Sequence, residues 1–128
     1  MLNPYEQYKK TSVNTMTKGE LLLLLYDEVI KKLNISKILL ENKDYKEAEI
    51  HLSKCRNIIN HLIVSLDEKY EISRELKEMY FFFNREILKA SISKNDKNID
   101  DILPLIKDLR NTWAEADKIS RTSKLEVL

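Results

Sequence analysis

Glycine is almost missing from this sequence. Its 128 residues include one glycine and two prolines, whereas average usage, about 7% Gly and 5% Pro, would give roughly nine and six. Hairpins, tight βα turns and glycine-rich phosphate loops all need residues that adopt positive φ. Folds built on such turns are therefore excluded, and we expect long helices joined by short polar turns.

The charge and cysteine content restrict the class further. A chain of this length buries roughly two-thirds of its unfolded surface and can hold a single core, which predicts one domain. With 22 Lys and Arg against 21 Asp and Glu, the basic footprint of a nucleic-acid binder is missing. The lone Cys55 fits a reducing compartment. No signal-peptide pattern opens the chain and no apolar run nears the roughly 20 residues that span a bilayer, so we expect a cytoplasmic protein without membrane insertion.

Hydrophobic periodicity predicts an all-α fold of four long helices preceded by a small one. Asn3, Pro4 and Glu6 fit the start of the small helix, and a polar tether follows it. The long helices are expected at about residues 17–42, 44–66, 71–93 and 98–119. The chain thus divides into a short helix and tether at residues 1–16, a bundle at 17–119 and a tail at 120–128.

Each long helix carries one apolar stripe of the kind that packs into a core. In the second helix the apolar spacing alternates strictly between three and four, as in helices packed nearly parallel to their neighbours. Pro104 fits the last helix if Asp100 or Asp101 caps a late start, and otherwise kinks it. The predicted core is Leu22, Leu25, Tyr26, Val29, Leu33, Leu40; Tyr45, Ala48, Leu52, Cys55, Ile59, Leu62, Leu66; Ile72, Leu76, Met79, Tyr80, Phe83, Ile87, Ala90; and Ile102, Ile106, Leu109, Trp113, Ala116.

Two helices carry a second apolar strip opposite their core stripe. A four-helix bundle needs one apolar face from each helix, so the surplus asks for a partner, a covering segment or a second copy of the chain. Tyr5 and Tyr8 share one face of the small helix, which we interpret as a removable cover. The surplus residues are Leu21, Leu24, Ile35, Ile38 and Leu39 on the first long helix, and Phe81, Leu88 and Ile92 on the third.

Patterns that carry chemistry are missing. His51 and Cys55 are one turn apart, but Cys55 lies on the core stripe and no second pair of ligands converges on it. Neither histidine has the Glu-x-x-His spacing of di-metal bundles. The aromatic run at Phe81 has no basic groove around it, as stacking on single-stranded nucleic acid would need. We therefore expect no enzyme, no metal and no cofactor.

A series of short motifs runs along the chain in a characteristic order. Asn3-Pro4-Tyr5-Glu6-Gln7-Tyr8 precedes Ser12-Val13-Asn14-Thr15 and the run from Glu20 to Asp27; Ser65-Leu66-Asp67, Asn84-Arg85 and Leu109-Arg110-Asn111-Thr112-Trp113 follow. In combination they resemble the flagellar secretion chaperone family, FliS, over about Asn3 to Ala116. The chain departs from the usual family residues at Glu28, Val29, Lys69, Tyr70 and Glu86, where packing and turns are affected more than chemistry.

The resemblance implies an antiparallel four-helix bundle that holds newly made flagellin in the cytoplasm. In that family the C-terminal segment of the client, disordered when free, wraps the bundle and forms helices in its apolar grooves. Premature filament assembly is thereby prevented, and the subunit stays ready for flagellar type III export. On this basis the surplus strips would bind flagellin, and Tyr5 and Tyr8 would occupy the client's space in the empty chaperone.

Other partners stay open at this point. The resemblance is compatible with contacts to the export apparatus or to other flagellar regulators, and with a homodimer of the empty protein. The alternative function is a helical dimerisation or adaptor module that has no client and buries its surplus strips against its own copy.

Overall fold

The described part of the chain is a bundle of four antiparallel helices. The computed structural model describes Pro4 and residues 15–127, with side chains up to Thr122. Within these residues all four elements are helical: α1 at Lys18–Glu41, α2 at Tyr45–Val64, α3 at Ile72–Ser93 and α4 at Lys97–Val127. Short connections at 42–44, 65–71 and 94–96 reverse the chain each time. The predicted antiparallel four-helix bundle is confirmed. The small helix predicted within residues 1–16, with Tyr5 and Tyr8, falls outside the described residues except for Pro4.

Helix contacts place the four elements around a square. α1 packs against α2 and α4, and α3 packs against α2 and α4, so α1 and α3 lie on one diagonal. None of the helices in the described residues combines the length and apolar character needed to cross a membrane.

The helix ends show how a chain with one glycine makes its turns. Thr17 caps α1 as predicted, since its hydroxyl accepts the Glu20 backbone N–H at 3.1 Å. Lys43 and Lys94, in the turns after α1 and α3, have φ of 60° and 58°. This left-handed conformation usually falls to glycine, and it costs other residues about 1 kcal/mol each. In these two turns, lysine therefore occupies the left-handed position that glycine usually takes.

α4 begins earlier than its proline suggests. The Asn95 side chain accepts the Lys97 backbone N–H at 3.1 Å, and the Asp100 N–H already bonds the Asp96 carbonyl at 3.0 Å. The helix thus starts at Lys97, close to the predicted start near residue 98, and of the two possibilities for Pro104 the late start capped by Asp100 or Asp101 does not occur. Pro104 lies inside α4 with its ring exposed.

α4 also runs past residue 119, where the apolar pattern fades, and is helical to Val127. It includes most of the segment predicted as a tail at 120–128. Arg121 explains part of this extension, since its guanidinium pairs with Glu20 of α1 at 2.7 Å and with Asp117 of α4 at 3.1 Å.

The core follows the predicted stripes closely. Tyr45 and Ile72 are exceptions, because as the first residues of α2 and α3 they lie at the ends of the bundle and are exposed. Ala116, in the last part of α4, is exposed too. The buried apolar side chains are Tyr26, Val29, Leu33, Leu40, Ala48, Leu52, Cys55, Ile59, Leu62, Leu76, Tyr80, Phe83, Ile87, Ala90, Ile99, Ile102, Leu103 and Ile106.

Candidate binding surface

One strip of large apolar side chains on α3 faces solvent. Phe81, Leu88 and Ile92 are 46%, 43% and 73% exposed, although the core stripe on the same helix is filled. They lie on the side of α3 opposite Phe83 and Ile87, as the helical spacing predicts. Their exposure agrees with the expectation of a surplus strip, and their role as a partner site stays a prediction.

Phe81 and Leu88 belong to an open groove between α2 and α3. The groove has a volume of about 390 Å³. Its α2 wall is entirely polar, whereas its α3 wall combines the apolar Phe81 and Leu88 with the polar Asn84 and Arg85. Its lining residues are Ser53, Arg56, Asn57 and Asn60 from α2, and Phe81, Asn84, Arg85 and Leu88 from α3.

Hydrogen bonds tie parts of this groove together and leave others unpaired. Asn84 donates through Nδ2 to Asn60 Oδ1 at 2.8 Å, which joins the two helices at the rim. The Oδ1 atom of Asn84 is buried and has no hydrogen-bond partner among the described residues. Arg56 pairs with Glu49 at 3.2 Å, and Glu49 also accepts the hydroxyl of Ser91 on α3.

The α1 strip is shallower than predicted. Leu21, Leu24, Ile35 and Leu39 are each half-buried, and Leu39 packs directly against the core. Only Ile38, at 58%, is strongly exposed among the five. Leu39 loses exposure through its packing against the core, which a helical wheel of α1 alone does not show.

The five α1 residues also do not form one narrow strip. Asp27 marks the α4 side of α1, because it receives Arg110 of α4 at 2.9 Å. At about 100° per residue, Ile38 lies about 20° from Asp27, whereas Leu39 lies about 120° away. Ile38 therefore points along the α4 edge, and Leu39 lies towards α2.

The two predicted strips lie on different faces of the bundle. α2 lies between α1 and α3 and contacts both. The α3 strip therefore lies on one side of α2, and the part of the α1 strip at Leu39 lies on the other side. No straight helix can lie against both strips at once. The structure therefore does not bring the predicted partner residues together into a single site.

A second groove lies where α1 begins and α4 ends. It has a volume of about 460 Å³ and its floor includes Leu22 and Trp113. Thr17, at its edge, is where residues 1–16 join the bundle. Tyr5 and Tyr8 lie outside the described residues, so the structure does not test their predicted covering role.

The structure shows the surroundings of His51 and Cys55, the candidate metal pair on α2. Cys55 is fully buried, as predicted, and its thiol points to the Val29 carbonyl at 3.8 Å. Burial raises the pKa of the Cys55 thiol to about 12, so the thiolate that metals bind is strongly disfavoured. His51 is half-buried with no partner for its Nδ1, and no group of three or more potential metal ligands occurs in the described residues.

Sequence reasoning did not find the polar wall of the groove. Arg56, Asn57 and Asn60 carry no apolar signal, and their position opposite Phe81 depends on which helix packs beside α3. On the α3 side of the groove, the Asn84-Arg85 motif was the polar signal that the sequence offered.

Comparisons with known proteins agree with this architecture. The family model "Flagellar protein FliS" matches residues 1–120. The flagellar secretion chaperone FliS of Bacillus subtilis (strain 168) is 31% identical over 122 residues, covering 95% of this chain and 92% of that relative. The chaperone of the same name from Salmonella typhimurium is 27% identical over 109 residues, covering 83% and 81%.

A solved structure supports the fold. The crystal structure of a flagellar chaperone from bacteria superposes with a TM-score of 0.76 at 18% identity, and covers 89% of this chain and 94% of that one. Since the family model spans nearly the whole sequence and the Bacillus subtilis relative matches along most of both chains, this chain belongs to the FliS family of flagellar secretion chaperones.

Proposed function

We propose that this chain is a cytoplasmic chaperone that binds the C-terminal segment of flagellin, prevents its premature polymerisation and keeps it ready for flagellar type III export. Membership of the FliS family supports the chaperone role. The observation that carries client binding is the exposed strip of Phe81, Leu88 and Ile92 beside a filled core. A client that buries this strip does not have to open the bundle.

The size of the contact follows from the cost of ordering the client. A disordered segment that folds on binding loses about 2–5 kcal/mol to ordering and typically buries about 1,000–3,000 Å². The α2–α3 groove is lined by eight residues, whereas a standard interface takes about 20–30 residues from each partner, so the groove alone is too small for such a contact. We therefore propose that the client also covers Leu21, Leu24, Ile35, Ile38 and Leu39 on α1, in segments that pass around the bundle.

The N-terminal segment is proposed as a cover for the empty chaperone. Tyr5 and Tyr8 would occupy space that the client takes when it binds. In support, Thr17 lies at the groove between the start of α1 and the end of α4, whose apolar floor includes Leu22 and Trp113. Leu21 and Leu24 follow within the first two turns of α1.

Titration with a peptide of the flagellin C-terminus tests this function. We expect binding with a gain of helical circular dichroism beyond the sum of the separate components. Phe81→Asp with Leu88→Asp should weaken binding at least tenfold, because two carboxylates replace apolar contacts at exposed positions where the fold tolerates them. Ile119→Asp is a matched control, since Ile119 is exposed on α4 outside the proposed strips.

Unchanged affinity of the double variant, with its helical spectrum intact, would show that the α3 strip does not bind the client. Light scattering after size-exclusion chromatography addresses the alternative function. A tight dimer that ignores the peptide would favour a dimerisation or adaptor module in which the strips bury one another.

A further inference from the structure

The two walls of the α2–α3 groove differ in chemistry. The α3 wall has two apolar residues, Phe81 and Leu88, with Asn84 and Arg85 between them in the sequence, whereas every α2 residue in the lining is polar or charged. An amphipathic helix fits such a groove when its apolar residues contact Phe81 and Leu88 and its polar residues face α2 and the polar side chains of α3. The groove therefore favours one orientation of a helix about its own axis.

The charge in this groove has one sign. Arg56 and Arg85 are its charged lining residues, and no carboxylate lines it, although the whole chain carries a net charge of only +1. Arg56 already has Glu49 as its partner at 3.2 Å. The Asn84 Oδ1 atom is buried beside them without a partner among the described residues. The groove thus combines positive charge with one buried acceptor that lacks a partner among the described residues.

Arg85 is the arginine that is open to a partner. Its guanidinium carbon lies 6.0 Å from the centre of the Phe82 ring, and within residues 15–122 it makes no ion pair. The adjacent carboxylate of Glu86 is engaged elsewhere, by Asn98 at 2.6 Å and Lys89 at 3.2 Å. Arginine offers several donors in a planar fork that matches a carboxylate.

The spacing on α3 specifies where that carboxylate has to be. Phe81 and Leu88 are seven residues apart, about 10 Å along the helix axis, and Arg85 lies between them. We infer that the α2–α3 groove selects client helices that carry a carboxylate midway between two apolar residues seven positions apart, with Arg85 as the specificity-determining residue that pairs with it. This inference rests on the proposed binding of flagellin.

Calorimetric titration with the C-terminal peptide of the same organism's flagellin tests the role of Arg85. Arg85→Gln should bind about fivefold or more weakly than the unsubstituted protein, because it loses a charge-assisted pair, and its affinity should depend less on salt. Arg74→Gln is the matched control, since it removes the same charge from an exposed position on α3 outside the groove. Its affinity should change less than about twofold.

Peptide variants identify the carboxylate. Each Asp and Glu of the peptide is replaced in turn by its amide; one replacement should weaken binding to the unsubstituted protein and have no effect on Arg85→Gln. A peptide with Lys at that position should recover affinity for Arg85→Glu. The inference is overturned if Arg85→Gln and Arg74→Gln behave alike, or if no carboxylate couples to Arg85. If the unsubstituted protein does not bind the unsubstituted peptide, the flagellin proposal fails as well.

Discussion

The hydroxyl oxygens of Tyr26 and Tyr80 lie 2.6 Å apart in the interior of the bundle. This hydrogen bond joins α1 to α3 across the diagonal, and the indole N–H of Trp113 adds α4 by donating to Tyr26 at 3.1 Å. Burial raises the pKa of both phenols. Three of the four helices are therefore held in register by one polar cluster within an apolar core.

Removing the hydroxyl of Tyr26, which Tyr80 and Trp113 share, should destabilise the protein more than removing the hydroxyl of Tyr80. Tyr26→Phe leaves both Trp113 and Tyr80 without their partner, and we expect a loss of about 2 kcal/mol in the free energy of unfolding; Tyr80→Phe, which keeps the Trp113 bond, should lose about 1 kcal/mol. Urea unfolding followed by circular dichroism measures both. Equal losses would contradict Tyr26 as the centre of the cluster.

Gly19 should respond differently to substitution in two backgrounds. A Cβ at Gly19 would collide with the carboxylate of Asp117, which would have to leave Arg121, its partner at 3.1 Å. Alanine otherwise favours a helix by up to about 1 kcal/mol. We expect Gly19→Ala to be more favourable by about 0.5 kcal/mol when Asp117→Ala is already present. Identical effects in the two backgrounds would rule out the steric coupling.

Cys55 should be inert in the folded protein. Burial raises its pKa to about 12, so near pH 8 only about one thiol in ten thousand is ionised. A chromogenic disulfide reagent should react slowly with the native protein and at once in concentrated urea. Fast reaction of the native protein would mean that the α1–α2 contact around Val29 opens readily.

Glu86 should make the free energy of unfolding depend on pH in the acidic range. The hydrogen bond from Asn98, opposed by desolvation and aided by Lys89, holds the pKa of the Glu86 carboxyl below its ordinary value of 4.5. The charged form is thus favoured by folding, and its contribution is present above about pH 4.5 and lost as the pH falls through the folded-state value.

We therefore expect urea midpoints of the unsubstituted protein to fall more steeply below about pH 4.5 than those of Glu86→Gln. Asn98→Ala should flatten the curve in the same direction, because it removes the main cause of the lowered pKa. Parallel curves for all three proteins would show that Glu86 does not contribute.

The bundle was predictable because its information is local. The strict three-and-four spacing from Ala48 to Leu62 is fixed by the pitch of the helix, and those residues are buried. The cap at Thr17 depends only on residues three positions away. Features that need a second helix were not accessible. Glu86 accepts a hydrogen bond from Asn98 of α4, and a Cβ at position 19 would collide with the side chain of Asp117, almost a hundred residues later.

The same distinction between local features and features that depend on a second helix applies to the candidate surface. A wheel of α3 alone is enough to place Phe81 and Leu88 away from the core. On α1 the same reasoning overestimates exposure, because Leu39 packs against the core. The basic and amide-rich wall at Arg56 and Asn60 comes from the neighbouring helix, and apolar periodicity says nothing about it.

Trp113 gives the molecule a built-in optical reporter. It is the single tryptophan of the chain, it is half-buried, and its indole is fixed by Tyr26 while one side lines the groove between the start of α1 and the end of α4. A segment that settles in that groove would remove water from the indole and shift its emission to shorter wavelength, whereas release of the end of α4 would shift it to longer wavelength. Movements at this end of the bundle can thus be followed in the unlabelled protein, with time resolution set by the mixing device.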